Sequence, residues 1–233
     1  MFTCFGKAKN QLDDPGQSSM SKKSTPLADV PTWAEYFQKE KDSILKNSPS
    51  RDTDLKLDGT DASLSHKVSL WSGDITSLGI DAIVNAANHL LRGGGGVDGA
   101  IHKAAGPQLL EECKTLKGCA TGEAKITKGY NLPAKHVIHT VGPVGENAPA
   151  LKSAYQRSLE VMKENNLRTI AFPCISTGVF GYPQLKAAQI ALHTVHDFLK
   201  EHPDSVDRVI FCLFLPEDVK IYENLMQIYF PIE

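Results

Sequence analysis

The stretch of this chain richest in chemistry is "IVNAANHLLRGGGGVDGAIHKAAG", residues 83–106. Two asparagines, Asn85 and Asn88, close an apolar run, the glycines Gly93 to Gly96 follow, and Asp98 and His102 then open a helical pattern. Adjacent glycines carry a heavy entropic cost in a folded chain, so something must approach this backbone too closely for side chains. Asp98 and His102 are spaced i, i+4 and share a helix face. They read as an acid stabilised at a helix N-terminus beside a packed histidine. They read equally as a carboxylate set next to an anion loop to bind a hydroxyl or activate water. Asn85 and Asn88 are either loop caps or groups that recognise a polyhydroxyl such as ribose, because buried amides need partners. Asp74, in "SGDIT", either caps a turn or accepts from the exocyclic amine of a base.

A second glycine-rich segment is "CISTGVFGYP", residues 174–183. Both segments follow a short apolar run and precede a helical pattern. Free amides at helix starts bind phosphate, and glycine lets the phosphate come close. Two such loops on one sheet edge suit a ligand with two phosphates. "GGGVDG" also fits G-x-G-x-x-G, but a dinucleotide fold wants an acid about 20 residues further on, at the end of the next strand. Glu111 and Glu112 come too early and fall in a helical pattern. No G-x-x-x-x-G-K-[ST] occurs, so P-loop nucleotide hydrolysis has no support. His136 and His139 would point to opposite faces of a strand. His193 and His196 have no third ligand nearby in sequence. All four are read as structural or surface groups, Cys174 as a packed thiol, and no metal or cofactor is expected.

The elements that must position these residues follow from periodicity. "KVSLW", "DAIVNAAN", "AKITKGY", "HVIHTVG", "TIAFPCI" and "RVIFCLF" read as strands. Residues 97–116, 148–165, 184–201 and 217–229 read as helical, with a break at Gly106-Pro107. Near-continuous apolar strands alternating with helices predict an α/β three-layer domain around a mainly parallel sheet. Ligands of such sheets bind at the carboxyl ends of the strands, where both glycine-rich segments fall. Upstream, residues 1–30 are expected to be a flexible tail. Residues 31–65 are expected to hold a helix over 32–47, capped by Thr32, and then a polar linker. The main domain is expected over 66–233.

Composition bounds the function class. The 233 residues are 41% hydrophobic and 22% charged, with a net charge of −2. There is no basic footprint for nucleic acid and no apolar run long enough to span a bilayer, so nucleic-acid and membrane partners are not expected. Five cysteines, an odd number without a CxxC pair, point to a reducing compartment. The N-terminus lacks the apolar core of a secretory signal. An intracellular protein of cytoplasm or nucleus is expected, with the mitochondrion kept open, and a monomer is the default.

Together, "GDITSLGIDAIVNAANHLLRGGGGVDGAIHKAAGPQLLEEC", "TGEAKITKGYNLPAKHVIHTVGP" and "AFPCISTGVFGYP" resemble the macrodomain family, and within it the MacroD-type branch. The resemblance runs from about residue 67 to about residue 229. It implies an α/β/α sandwich around a mixed, mostly parallel sheet, with ADP-ribose as ligand. It also implies hydrolase activity: removal of mono-ADP-ribose from Glu and Asp side chains of proteins, and deacetylation of O-acetyl-ADP-ribose. Both are cleavages of an ester at the distal ribose by water.

Carried over residue by residue, the resemblance gives Asp74 the adenine amine, Ile75 the pocket wall and Phe214 the stacking face. Asn85 is placed near the distal ribose, and Asn88 on its hydroxyls. Gly95, Gly96 and Val97 hold one side of the diphosphate. Ser176, Thr177, Gly178, Val179 and Phe180 close the other, with Phe180 against the distal ribose. Some relatives have Tyr where Phe180 stands, so no hydroxyl role is expected there. Asp98 is the expected catalytic carboxylate, with Asn88 and His102 completing the set. A loop carboxylate with an ordinary pKa is a weak base at neutral pH, so family mechanisms also give the ligand's phosphate a share of water activation. The alternative class is a reader that binds ADP-ribose without turnover. Readers often lack the Asn88, Asp98 and His102 set, which is complete here. A poly(ADP-ribose) or nucleic-acid binder would need a basic surface.

Overall fold

The computed structural model describes residues 24–47 and 61–232. The expected tail up to residue 23, and residues 48–60 of the expected linker, lie outside them. In chain order the strands are β1 (Thr25–Pro26), β2 (Val68–Trp71), β3 (Leu78–Gly79), β4 (Ala82–Ala86), β5 (Ala124–Lys128), β6 (His136–Thr140), β7 (Thr169–Pro173) and β8 (Arg208–Cys212). The helices are α1 (Trp33–Asn47), α2 (Gly96–Ala105), α3 (Pro107–Thr115), α4 (Ala148–Glu164), α5 (Gln184–Glu201) and α6 (Pro216–Tyr229).

Six strands form one sheet in the order β2-β8-β7-β4-β6-β5. All neighbours run parallel except β5, which is antiparallel to β6. The expected mixed, mostly parallel sandwich is therefore the fold. Successive strand residues alternate between two cores. Ala82 and Val84, Ile170 and Phe172, and Val209 and Phe211 join the core beneath α1, α4, α5 and α6. Ile83, Ala171 and Ile210 join the core beneath α2 and α3. Burial on both faces is why these strands read as unbroken apolar runs. The break at Gly106 is real: its φ of 86° caps α2, and Pro107 opens α3.

One expectation needs correction. The tail was expected to run to residue 30, yet Thr25–Pro26 pairs in parallel with Leu78–Gly79, and Val30 is buried. Arg208 ties this segment down by donating to the Val30 carbonyl and the Ser69 hydroxyl. The segment is held by tertiary pairing that a Thr-Pro dipeptide does not advertise.

Helix α1 has the expected start. The Thr32 hydroxyl accepts from the Glu35 amide, and Glu35 accepts from the Thr32 amide at 2.8 Å, a reciprocal cap. Trp33 anchors the helix to the domain. It is fully buried, donates from Nε1 to the Phe230 carbonyl at 3.0 Å, and packs on Phe37. Tyr36 adds a bond to Glu223 of α6. Trp33→Ala should therefore cost about 3–5 kcal/mol, read as a lower urea midpoint at unchanged slope. A midpoint equal to wild type would mean that α1 is not part of the cooperative unit.

Candidate active site

Strands β2, β8, β7, β4 and β6 are parallel, so their carboxyl ends share one edge. Along that edge stand, in order, Asp74 after β2, Phe214 after β8, residues 174–183 after β7, and residues 87–95 after β4. These segments therefore share one rim, in an order suited to an elongated ligand lying across the sheet.

The centre is a polar cluster on the face covered by α2 and α3. Asn85 and Ile83 share a parity in β4, so both point into that layer. Asp98 sits in the first turn of α2 and comes down onto Asn85, whose Nδ2 donates to Asp98 Oδ1 at 2.7 Å. Asn88 Nδ2 lies 3.4 Å from Asp98 Oδ2 and donates to the Gly93 carbonyl at 2.8 Å, while its Oδ1 accepts from the Leu90 amide. His102 Nε2 lies 3.5 Å from Asp98 Oδ1. Asn88 thus caps its loop, as one of its two readings had it, and also reaches the carboxylate.

Two expectations change here. Asn85 was placed near the distal ribose, but it is wholly buried, with its amide nitrogen on Asp98 and His139 and its Oδ1 without a hydrogen-bond partner among the described residues. It supports the site from behind. Asp98 was read as a loop carboxylate with an ordinary pKa. It is instead 5% exposed in a helical turn. Burial raises its pKa, against the opposing pull of the Asn85 amide and of His102. A raised carboxylate is a better base near neutrality.

The glycines divide into two kinds. A side chain at Gly93 would meet the His102 ring at 3.2 Å, and one at Gly99 would meet the Gly94 carbonyl oxygen at 2.3 Å. Packing demands those two. At Gly95 the backbone is extended (φ −93°, ψ −178°), and a Cβ would meet nothing within 4 Å. Gly178 in the facing loop is likewise open. Nothing in the protein itself requires glycine at 95 or 178, and the space beside both is open to a ligand. The first-turn amides of α2 have no helical acceptor and begin at this cradle.

The facing loop is pinned from both sides. Ser176 has φ 67° and is buried, and its carbonyl accepts from the Tyr182 amide. Phe180 accepts from the Gly145 amide at 2.7 Å, tying this loop to the one after β6. Thr177 bonds back to the Cys174 carbonyl at 3.1 Å. Between these bonds Gly178 and Val179 stand out into solvent, and Phe180 is half-buried. At the far end Phe214 is 90% exposed, an unusual state for phenylalanine that leaves its ring face available. Asp74 is exposed and caps the turn at Ile75–Ser77 through Thr76. Ile75, the expected pocket wall, lies buried in the core below. Val97 is half-buried on the first turn of α2.

Among the described residues, His102, Cys113 and His139 bring two imidazoles and a thiol within 4.8 Å of one another. Sequence spacing did not join them, because they come from α2, α3 and β6. Both His139 nitrogens are already in hydrogen bonds, and burial pushes the Cys113 thiol up to about 11. His102 Nε2, by contrast, is buried without a hydrogen-bond partner among the described residues.

The chain is similar to known proteins over most of its length. The Macro domain family model matches residues 84–191. The ADP-ribose glycohydrolase MACROD1 of Rattus norvegicus is 49% identical over 220 residues, covering 88% of this chain and 85% of that protein. The ADP-ribose glycohydrolase MACROD2 of Mus musculus is 59% identical over 177 residues, covering 73% of this chain; the match spans 37% of the mouse protein's length. A macrodomain of Trypanosoma brucei solved in complex with ADP-ribose superimposes with a TM-score of 0.74 at 42% identity, covering 88% of this chain and 78% of that one.

Proposed function

This chain belongs to the macrodomain family, and from that premise we propose that it is an ADP-ribosyl-ester hydrolase. Its substrates are proteins carrying mono-ADP-ribose on Glu or Asp, and O-acetyl-ADP-ribose. The single observation that carries the reading is Asp98, a buried carboxylate of raised pKa held beside Gly95, a glycine that the fold itself does not need. The glycohydrolase names of the two relatives and the bound ADP-ribose of the trypanosomal structure support the same ligand and reaction.

The order of groups along the rim sets the ligand's direction. Adenine lies toward Asp74 and Phe214, the diphosphate between Gly95–Val97 and Ser176–Phe180, and the distal ribose over Asn88 and Asp98. Asp98 orients the ribose hydroxyls and takes a proton from water as the water adds to the ester. The bond from the carbonyl carbon to the ribose oxygen then breaks, and that oxygen takes the proton back from Asp98, leaving ADP-ribose with a free hydroxyl, a free carboxyl group and Asp98 ionised again. Asn88 and His102 hold Asp98 in place. Phe180 walls the ribose and screens the water.

The protein acts as a monomer on intracellular targets, in cytoplasm, nucleus or mitochondrion. Its four described cysteines are free thiols, as suits a reducing compartment. Among the described residues no helix is long and apolar enough to cross a membrane.

The test is release of ADP-ribose from a protein mono-modified on glutamate or aspartate, with O-acetyl-ADP-ribose as a second substrate. Turnover of both is expected. Tight binding of ADP-ribose with no release from either substrate would make the protein a reader instead.

A further inference from the structure

We propose that His139 is the positioning residue behind the catalytic carboxylate: a neutral imidazole, protonated on Nε2, that holds the Asn85 amide in the orientation that anchors Asp98. This rests on the reading of Asp98 as the catalytic base. Asn85 and His139 are direct partners across β4 and β6. Asn85 Nδ2 lies 2.7 Å from Asp98 Oδ1 and 3.2 Å from His139 Nδ1. An ionised carboxylate only accepts, so the amide nitrogen, not the oxygen, must face it. The second amide hydrogen then points at His139 Nδ1, which has to carry the lone pair. The imidazole proton is left on Nε2, 2.9 Å from the Thr127 hydroxyl oxygen.

The Thr127 hydroxyl completes the chain by turning its own hydrogen toward the Val137 carbonyl at 3.5 Å. Every donor then meets an acceptor: the Asn85 amide donates to Asp98 on one side and to His139 on the other, and from His139 the chain runs through Thr127 to the backbone of β6. Turning the Asn85 amide over would set its oxygen against both the carboxylate and the Nδ1 lone pair. In a buried network that arrangement is heavily penalised. Burial keeps His139 neutral by pushing its pKa down to about 3. The remaining titratable groups packed around Asp98 and His139 are His102 from α2 and Cys113 from α3. Neither offers Asn85 a substitute acceptor in this structure.

Three variants separate positioning from bulk packing. His139→Asn can set an amide oxygen where Nδ1 stands and keep the acceptor for Asn85. His139→Gln sets its amide nearer the Nε2 place and keeps only the Thr127 side. His139→Leu keeps neither. We expect Gln and Leu to lose about tenfold or more in kcat, with KM and ADP-ribose affinity little changed, and Asn to stay within about fivefold of wild type. The acid limb of the pH–rate profile should move to higher pH in Gln and Leu, because the Asn85 bond that lowers the Asp98 pKa is lost. Long-range imidazole nitrogen correlations in the wild-type NMR spectrum should show His139 neutral and protonated on Nε2 down to about pH 5.

Equal kcat in all folded variants, or an equal loss in all three including Asn, would overturn the proposal. So would an Nδ1-protonated or charged His139, which decides the matter even where Leu fails to fold. Absence of turnover in the wild type would instead remove the enzymatic reading, and the tautomer measurement would still report on the hydrogen-bond chain.

Discussion

Asp98→Ala is expected to lower ADP-ribose release from a modified protein by about 10²–10⁴-fold, the usual contribution of a positioned acid–base group, while ADP-ribose affinity stays within about tenfold. The two effects separate because, in the proposed pose, Asp98 meets only the reacting end of the ligand, while the backbone at Gly95 and the exposed face of Phe214 are left unchanged by the substitution. The pH dependence has a defined sign. Asp98 must be ionised to accept a proton, and burial raises its pKa. Activity is therefore present above that raised pKa and is lost as pH falls through it, earlier than for an ordinary aspartate. The same burial penalises the charged form in the folded state relative to the unfolded one. Asp98→Asn should thus unfold at pH 7 at a temperature no lower than wild type, while turnover is lost. Wild-type activity in Asp98→Ala would shift the chemistry to the ligand's own phosphate, and an unchanged acid limb in a conservative Glu variant would weaken the base assignment.

How much of this was legible in the sequence follows physical lines. The sheet and its helices were legible because strands buried on both faces read as unbroken apolar runs, and because Gly106-Pro107 has one meaning in a helical pattern. The rim was legible because parallel strands place their following loops together. Strand pairing was not. Nothing local reports that Asn85 would sit opposite His139, or that Thr127 on the antiparallel β5 would reach the same imidazole. His139 was weighed only against His136 as a metal pair, where alternation correctly put the two on opposite faces. Its partner was across the sheet, at a distance that chain spacing does not encode. The burial of Asp98 was hidden for the same reason. An acid beside four glycines looks solvated, and only the docking of α2 on β4 removes it from water. Residues 25–30 fail differently, since a two-residue strand carries no periodicity, and its order comes from Leu78–Gly79 and Arg208.

Gly95→Glu should weaken ADP-ribose binding by at least about 100-fold, equivalent to about 2.8 kcal/mol, with the fold intact. The substitution is tolerated by the empty protein for reasons visible in the structure. Its backbone is extended with φ −93°, a conformation open to any residue, and a Cβ there meets nothing within 4 Å. An acid at the start of α2 also sits well with the helix dipole, so thermal stability should hold or rise slightly. The bound ligand has no such tolerance. A glutamate would occupy the cradle and set a negative charge against the diphosphate, while drawing on the amides that would otherwise bind it. Calorimetry with ADP-ribose, paired with a melting curve, reads both halves. Gly99→Ala is the counter-example that gives the pair its meaning. Its Cβ would stand 2.3 Å from the Gly94 carbonyl oxygen, so that variant should lose stability whether or not ligand is present. Wild-type affinity in Gly95→Glu would place the diphosphate somewhere other than this loop. Loss of affinity together with loss of stability would mean that the fold, and not the ligand, requires the glycine. Loss of affinity alone would show that the bare backbone at residue 95 is kept for the ligand.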